Sequence, residues 1–500
     1  MSNSERMAPV DTTWLRMDRP TNLMVIVGVL VLAGPVDVSR LEDTLADRLL
    51  AIPRFRQRTE SRQTGIWWCD DPQFDIARHI KRIRLPGAAD KAELERFVAE
   101  LAATPLDPSH PLWQFHIVED YEGGAAIVAR IHHAIADGIA LIGVLLSLTD
   151  GYVGASAHQA RHISHEDKEG SWLDLIAPVM EVVGEGLRLS ANVLRGSGQA
   201  VARPADTLKE GTDIAGELAY LLLMPNDSPT RFKGQASGIK RVAWTDPISL
   251  PEVKAVSHAL GCSVNDMLLA AVAGALNGYL AEKGDETEGV EIRALVPVNL
   301  RSPDSDRELG NRFGVAALEL PVGLENPLAR LHEIHRRMEA LKSSNEPTVT
   351  LGLLSTLGYA PKLVQDTVFD LLLSRATAVM TNVPGPQQPL YLAGSEIKQV
   401  MVWVPQPGDI GMGVSILSFN GKVQFGLLAD AALVPDPHAI IARFKPEFDQ
   451  LLYFVLMEAW APTPEQGPIK AKPGAVKPAA RRTRRGRPSR RGSARKRTKI

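Results

Sequence analysis

Cysteine is almost absent from this 500-residue chain: Cys69 and Cys262 are the whole complement, and two thiols provide no disulfide framework. The longest apolar runs, such as Met24 to Ala33 and Ile139 to Leu148, stop short of the roughly 18–20 residues that cross a bilayer. No transmembrane helix is therefore expected. The first residues, Met1-Ser2-Asn3-Ser4-Glu5-Arg6, carry no apolar core and do not resemble a signal peptide. His-Glu-x-x-His, Cys-x-x-Cys, Gly-x-Ser-x-Gly, the Walker loop and Gly-x-Gly-x-x-Gly are all missing. Their absence leaves no zinc-protease, serine-hydrolase, nucleotide or dinucleotide signature. These omissions point to a protein of the cytosol or of a membrane surface.

What is present is His132-His133-Ala134-Ile135-Ala136-Asp137-Gly138, at a seam between two regular elements. Upstream, Ala125 to Ile131 is a short β-branched apolar run after Gly123-Gly124 and reads as a buried strand. Downstream, Ile139 to Leu148 reads as a buried helix opening at Asp137-Gly138. Neighbours on an extended strand face opposite ways, so one imidazole can enter a cleft while the other packs behind it. A neutral imidazole, with a reference pKa of about 6.5, can take a proton from a hydroxyl near neutral pH and later return it. The plainer account is a pair of hydrogen-bonded core histidines followed by a helix-capping Asp. Residue chemistry alone leaves both open. Metal ligation lacks a third ligand at recognisable spacing.

His-His-x-x-x-Asp-Gly resembles the signature of the CoA-dependent acyltransferase superfamily. Seven other segments, in order, resemble the bacterial wax ester synthase/diacylglycerol acyltransferase family. They are Asp11 to Leu15, Pro53 to Arg58, Pro111-Leu112-Trp113, Ser263 to Asp266, Val296 to Arg301, Gly310 to Gly314 and Thr381 to Pro386. The resemblance spans residues 1 to about 455. It implies two chloramphenicol-acetyltransferase-like α/β domains side by side with a tunnel between them. It also implies transfer of a fatty acyl group from acyl-CoA to diacylglycerol or a long-chain alcohol. His133 is then the general base, with His132, Asp137, Gly138 and Asn265 as its surroundings. Asp137 would hold the motif loop, Gly138 would allow close backbone packing, and Asn265 would lie near the reaction centre. Ser263 to Asp266 has a plain second reading as a capping box for the helix that follows. Pro111-Leu112-Trp113 likewise reads as a turn and a core aromatic. No cofactor is implied, acyl-CoA being a co-substrate, and the sequence does not identify the oxyanion donors. One departure is Met24-Val25, where the family often carries Met-His. Two alternatives remain: a different hydroxyl acceptor, or a non-catalytic lipid-binding protein.

Residues 1–150 are expected to form the N-terminal domain carrying the motif, 151–240 a helical connection and 241–458 a second, similar domain. The connection includes an interrupted helical pattern from Trp172 to Leu194, broken by Pro178. His162, His165, Glu166 and Asp167 within it read as a polar loop. Residues 461–500 hold 14 Lys and Arg against Glu465 alone, a charge of +13 that leaves −15 on the remainder. Rich in Pro, Ala, Gly and Ser and lacking aromatics, this tail is expected to be disordered. It suits an anionic membrane or lipid-droplet surface, or, as a second choice, nucleic acid. Peripheral attachment in the cytoplasm is the expected localisation.

Overall fold

The computed structural model describes residues 4–150, 224–300 and 311–457. The Trp172–Leu194 pattern, the His162–Asp167 loop and the 461–500 tail lie outside them. The described residues up to 456 form one compact unit, organised around two large sheets.

The first sheet runs in the order β13 (Tyr391–Leu392), β14 (Ser395–Trp403), β2 (Val25–Leu32), β7 (Gly124–His132), β6 (Trp113–Tyr121) and β5 (Ile80–Arg84). The second has the order β11 (Phe313–Leu320), β10 (Ile292–Asn299), β12 (Ala378–Pro384), β15 (Met412–Phe419), β16 (Lys422–Asp430) and β8 (Lys240–Trp244), with β9 (Ile248–Ser249) also on β16. A small sheet of β1 (Ser4–Arg6), β4 (Gly65–Asp70) and β3 (Gln57–Arg62) lies apart from both. The architecture is the mixed α/β arrangement expected from the sequence.

Local chemistry accounts for many of these elements. Every residue of β2 and β7 is buried, as in strands covered on both faces. Asn420 and Gly421, both at positive φ (47° and 72°), give the two-residue turn that joins β15 to β16. The Asp90 carboxylate accepts from the Glu93 N–H and starts the helix Lys91–Ala103. Asn326 does the same for Pro327–Lys342, where Pro327 occupies the first turn. After β2 the chain forms a helix at Val38–Thr44 that widens into a π turn at Leu45–Leu49. The helix Val264–Glu282, with 19 residues and a mean hydropathy of 1.2, is long and apolar enough to cross a membrane. However, 72% of its apolar window is buried inside the protein, and its Met267, Val272 and Leu276 lie in the second core.

Sheet membership does not follow chain order. The hairpin β13–β14 arises between β12 and β15 of the second sheet but crosses to the first, where β14 pairs antiparallel with β2. A boundary at residue 241 therefore does not separate the two sheets. At the crossing the sheets are packed together: the Ser415 hydroxyl donates to the Val402 carbonyl at 2.5 Å. The rings of Trp244 and Trp403 stand 5.8 Å apart. Gly426 is small for a reason, since a Cβ there would lie 3.0 Å from Trp403 Cζ2.

Candidate active site

The histidine loop leaves the end of β7 and is held on both sides by backbone. The His132 N–H donates to the Leu112 carbonyl at 2.9 Å and the His133 N–H to the Met24 carbonyl at 2.7 Å. Trp113, beside Leu112, is fully buried and donates from Nε1 to the Phe55 carbonyl at 2.9 Å. Pro111-Leu112-Trp113 thus serves as a turn and a core aromatic. Val25 sits opposite His132 across the β2–β7 pair, so the departure at Met24-Val25 falls directly beside the histidines.

The two imidazoles are in different chemical situations. His132 Nδ1 accepts from the Ala134 N–H at 3.0 Å, and Nε2 faces Asp18 Oδ2 at 3.2 Å. With Nδ1 accepting, the neutral ring carries its proton on Nε2 and donates it to Asp18. Both nitrogens are committed. His133 is stacked on Trp14 at 4.5 Å and tilted against Phe313 at 5.4 Å. Its Nδ1 is buried and has no hydrogen-bond partner. Only 4% of the residue is exposed. Burial lowers its pKa from 6.5 to about 4, opposed by the charge of Asp137 and by its own carbonyl. The ring is neutral at physiological pH.

Asp137 is both cap and clamp. Its Oδ1 accepts from the Ala140 N–H at 2.9 Å, starting the helix Gly138–Ser147, and its Oδ2 accepts from the Arg312 N–H at 3.1 Å. Beside Arg312, the Asn311 amide donates to the His133 carbonyl at 2.9 Å and to Asp11 Oδ1 at 2.8 Å. The Asn311 N–H adds a further bond to Asp11 at 3.1 Å. Desolvation raises the Asp11 pKa to about 6 despite these donors and the nearby charge of Arg54.

One site expectation changes. A Cβ at Gly138 would meet only Val404, at an ordinary 3.9 Å, so close backbone packing does not require this glycine. Asn265 accepts from the Asn382 amide at 2.7 Å, which ties two landmark segments together. Ser263 and Asp266 form a full capping box around it. Alongside the motif helix runs a narrow apolar crevice, lined by Leu30, Leu145, Leu146, Val400, Val402 and Leu417 among others. His133 is not among its lining residues. No cluster of potential metal ligands occurs among the described residues.

The model of the "Wax ester synthase/diacylglycerol acyltransferase catalytic domain" matches residues 7–268, and that of the "WS/DGAT C-terminal domain" matches 309–452. The chain belongs to the wax ester synthase/diacylglycerol acyltransferase family. Family relatives include a Mycobacterium tuberculosis (strain ATCC 25618 / H37Rv) protein described as "Probable diacyglycerol O-acyltransferase tgs1". It is 29% identical over 429 residues, covering 84% of this chain and 89% of that one. The protein described as "Probable diacyglycerol O-acyltransferase tgs2", from the same strain, is 27% identical and covers 89% of this chain and 98% of its own. Among solved structures, the wax ester synthase/diacylglycerol acyltransferase of Marinobacter aquaeolei VT8 superposes with a TM-score of 0.62 at 20% identity. It covers 91% of this chain and 100% of that one. The first condensation domain of the CDA synthetase gives 0.57 at 14% identity, covering 90% and 96%. These superpositions establish the shared fold.

Within this wax ester synthase/diacylglycerol acyltransferase chain, the landmark segments converge on the histidine loop. Asp11 and Trp14 come from the first landmark, and Asn311, Arg312 and Phe313 from the sixth. Sequence reasoning quoted both segments but assigned no role to these five residues.

Proposed function

We propose that this chain is an acyl-CoA-dependent O-acyltransferase that esterifies diacylglycerol, a long-chain alcohol or both, with His133 as general base. The carrying observation is the contrast within the pair: His132 has both ring nitrogens engaged, while His133 keeps an unpartnered nitrogen inside an aromatic enclosure. The neutral imidazole takes the proton of the acceptor hydroxyl, and the oxygen forms a bond to the thioester carbonyl carbon. The carbon–sulfur bond then breaks, and the departing CoA thiolate recovers the proton from the imidazolium. Atoms balance without a covalent acyl-enzyme, so no nucleophilic Ser or Cys is needed. The charge of Asp137 favours the transient imidazolium, while burial keeps the resting ring uncharged.

Family membership, the names of the relatives and the apolar crevice beside the motif helix support a fatty substrate. The tunnel between the two halves remains part of this proposal, as does peripheral attachment of the cationic 461–500 segment to anionic lipid. The test is release of CoA from palmitoyl-CoA by purified protein against a panel of alcohols, with wild type beside His133→Ala. Wild type should esterify at least one lipid alcohol, and the folded variant should lose about 10²–10⁴-fold in rate. A folded His133→Ala protein working at full rate would refute the assignment of the base.

A further inference from the structure

From the contacts between the second sheet and the histidine loop, we infer that Asn311 is a positioning residue for the acyl-transfer reaction. Held by Asp11, it fixes the carbonyl of His133 and, through it, the orientation of the imidazole. The inference rests on the acyltransferase reading above.

The geometry is specific to a carboxamide. The Asn311 amide has two N–H bonds, and two acceptors use them: Asp11 Oδ1 at 2.8 Å and the His133 carbonyl at 2.9 Å. Asp11 thereby selects which end of the amide points at the loop. Asn311 and Asp11 are both buried, at 3% and 4% exposure, so water does not compete for these bonds. The next residue repeats the grip, its N–H donating to Asp137 Oδ2 at 3.1 Å. The segment leading into β11 therefore holds both ends of the loop from His133 to Asp137, at sequence separations of 178 and 175 residues. On the His133 ring, Nδ1 meets no hydrogen-bond partner of ordinary geometry, the faces are stacked on Trp14 and Phe313, and the Asn311 side chain also favours the protonated ring. Ring orientation is therefore set jointly by the stacked aromatic rings and by the backbone that Asn311 holds. The His133 carbonyl also interacts favourably with the protonated ring, and a rotation of that carbonyl alters which ring nitrogen is free to act. A displacement of about 1 Å at a reacting group can cost about 10²-fold in rate.

The test uses full-length wild type with Asn311→Ala, Asn311→Asp, Asp11→Asn and Asp11→Ala, assayed for kcat and for the KM of acyl-CoA. Thermal denaturation reports whether each variant is folded. Asn311→Ala should lose about 10–100-fold in kcat while KM changes less than about threefold. Asp11→Asn, whose amide oxygen can still accept from Asn311, should keep most of the activity that Asp11→Ala loses. Asn311→Asp preserves shape but sets a carboxylate against Asp11. Such a pair shares a proton, and the protonated form can again donate to the His133 carbonyl. Its activity relative to wild type should therefore rise as pH falls. The charged and titratable groups around this pair are Arg54, Asp137, His132 and His133. In a His133→Ala background, adding Asn311→Ala should cost little more, because both changes act through one ring. Folded Asn311 variants with wild-type kcat, or an equal loss with and without His133, would overturn the positioning role alone. A wild-type protein unable to transfer acyl groups to any alcohol would overturn the acyltransferase reading and this inference with it.

Discussion

Lowering the pH from about 8 to 5.5 should leave His133 almost entirely uncharged, unlike an exposed histidine. Its pKa of about 4 keeps roughly 97% of the ring neutral at pH 5.5. At the reference value of about 6.5 only roughly 9% would be neutral. The depression corresponds to about 3 kcal/mol against the charged ring, and desolvation is its main cause: the ring lies between Trp14 and Phe313 with no hydrogen bond at Nδ1. The pH dependence of kcat/KM reports the ionisations of the free enzyme. The assay is therefore initial-rate CoA release at constant ionic strength with a short soluble alcohol, so that substrate aggregation does not vary with pH. The limb set by His133 should appear near pH 4. A separate step near pH 6 belongs to Asp11, whose pKa is raised to about 6, and should vanish in Asp11→Asn. An acid limb centred near 6.5 that persists in Asp11→Asn would refute the reasoning, because the ring would then be titrating as though solvated.

Stability should carry the same imprint with opposite signs at the two groups. The depressed pKa of His133 means the unfolded chain takes the proton first, so its contribution is present above pH 6.5 and lost as pH falls through about 4. Asp11, raised to about 6, contributes stability below pH 3.8 that is lost as pH rises through about 6. Each effect is of order 3 kcal/mol, and they offset between about pH 4 and 6. In urea titrations His133→Gln should gain on wild type by about 3 kcal/mol between pH 7 and 4; parallel curves would contradict this. Asp137→Ala removes a helix cap and leaves the Arg312 N–H without this acceptor, a loss of about 2–4 kcal/mol by thermal or urea denaturation. Asp137→Asn, which keeps one acceptor oxygen, should fall between. Deleting 461–500 should abolish sedimentation with anionic vesicles, and wild-type binding should weaken steeply with added salt. Turnover of a soluble alcohol should be unchanged, and equal vesicle binding by the truncated protein would dismiss that role for the tail.

Legibility in the sequence followed the range of the interactions. Lys91–Ala103 and Pro327–Lys342 are encoded locally, because Asp90 and Asn326 cap them and their apolar residues recur at helical spacing. The β15–β16 hairpin was readable because Asn420-Gly421 encodes its own turn. The strand–loop–helix setting of His132 to Gly138 was equally local. By contrast, Lys362–Leu373 was missed; its buried Gln365 and Phe369 pack on partners far off in sequence, including the Thr13 carbonyl. The crossing of β14 leaves no local trace, since the run Ser395–Trp403 would suit either sheet. For the site, the chemistry of His133 was legible from residue type. The enclosure that tunes it comes from Trp14, Phe313, Asp11 and Asn311, and no periodicity connects those residues to position 133.

The swap of β14 also has a cost in time. During synthesis β2 and β7 can pair once about 150 residues exist, but the other side of β2, all eight of its residues destined for burial, stays bare until residues 395–403 emerge. At about 5–20 residues per second that wait lasts roughly 12–50 seconds. Throughout it the ribosome-bound chain displays an unpaired, valine-rich border, the kind of template on which chains aggregate. A fragment ending before residue 391 never closes that border, so the first sheet is complete only once residues 395–403 have been made.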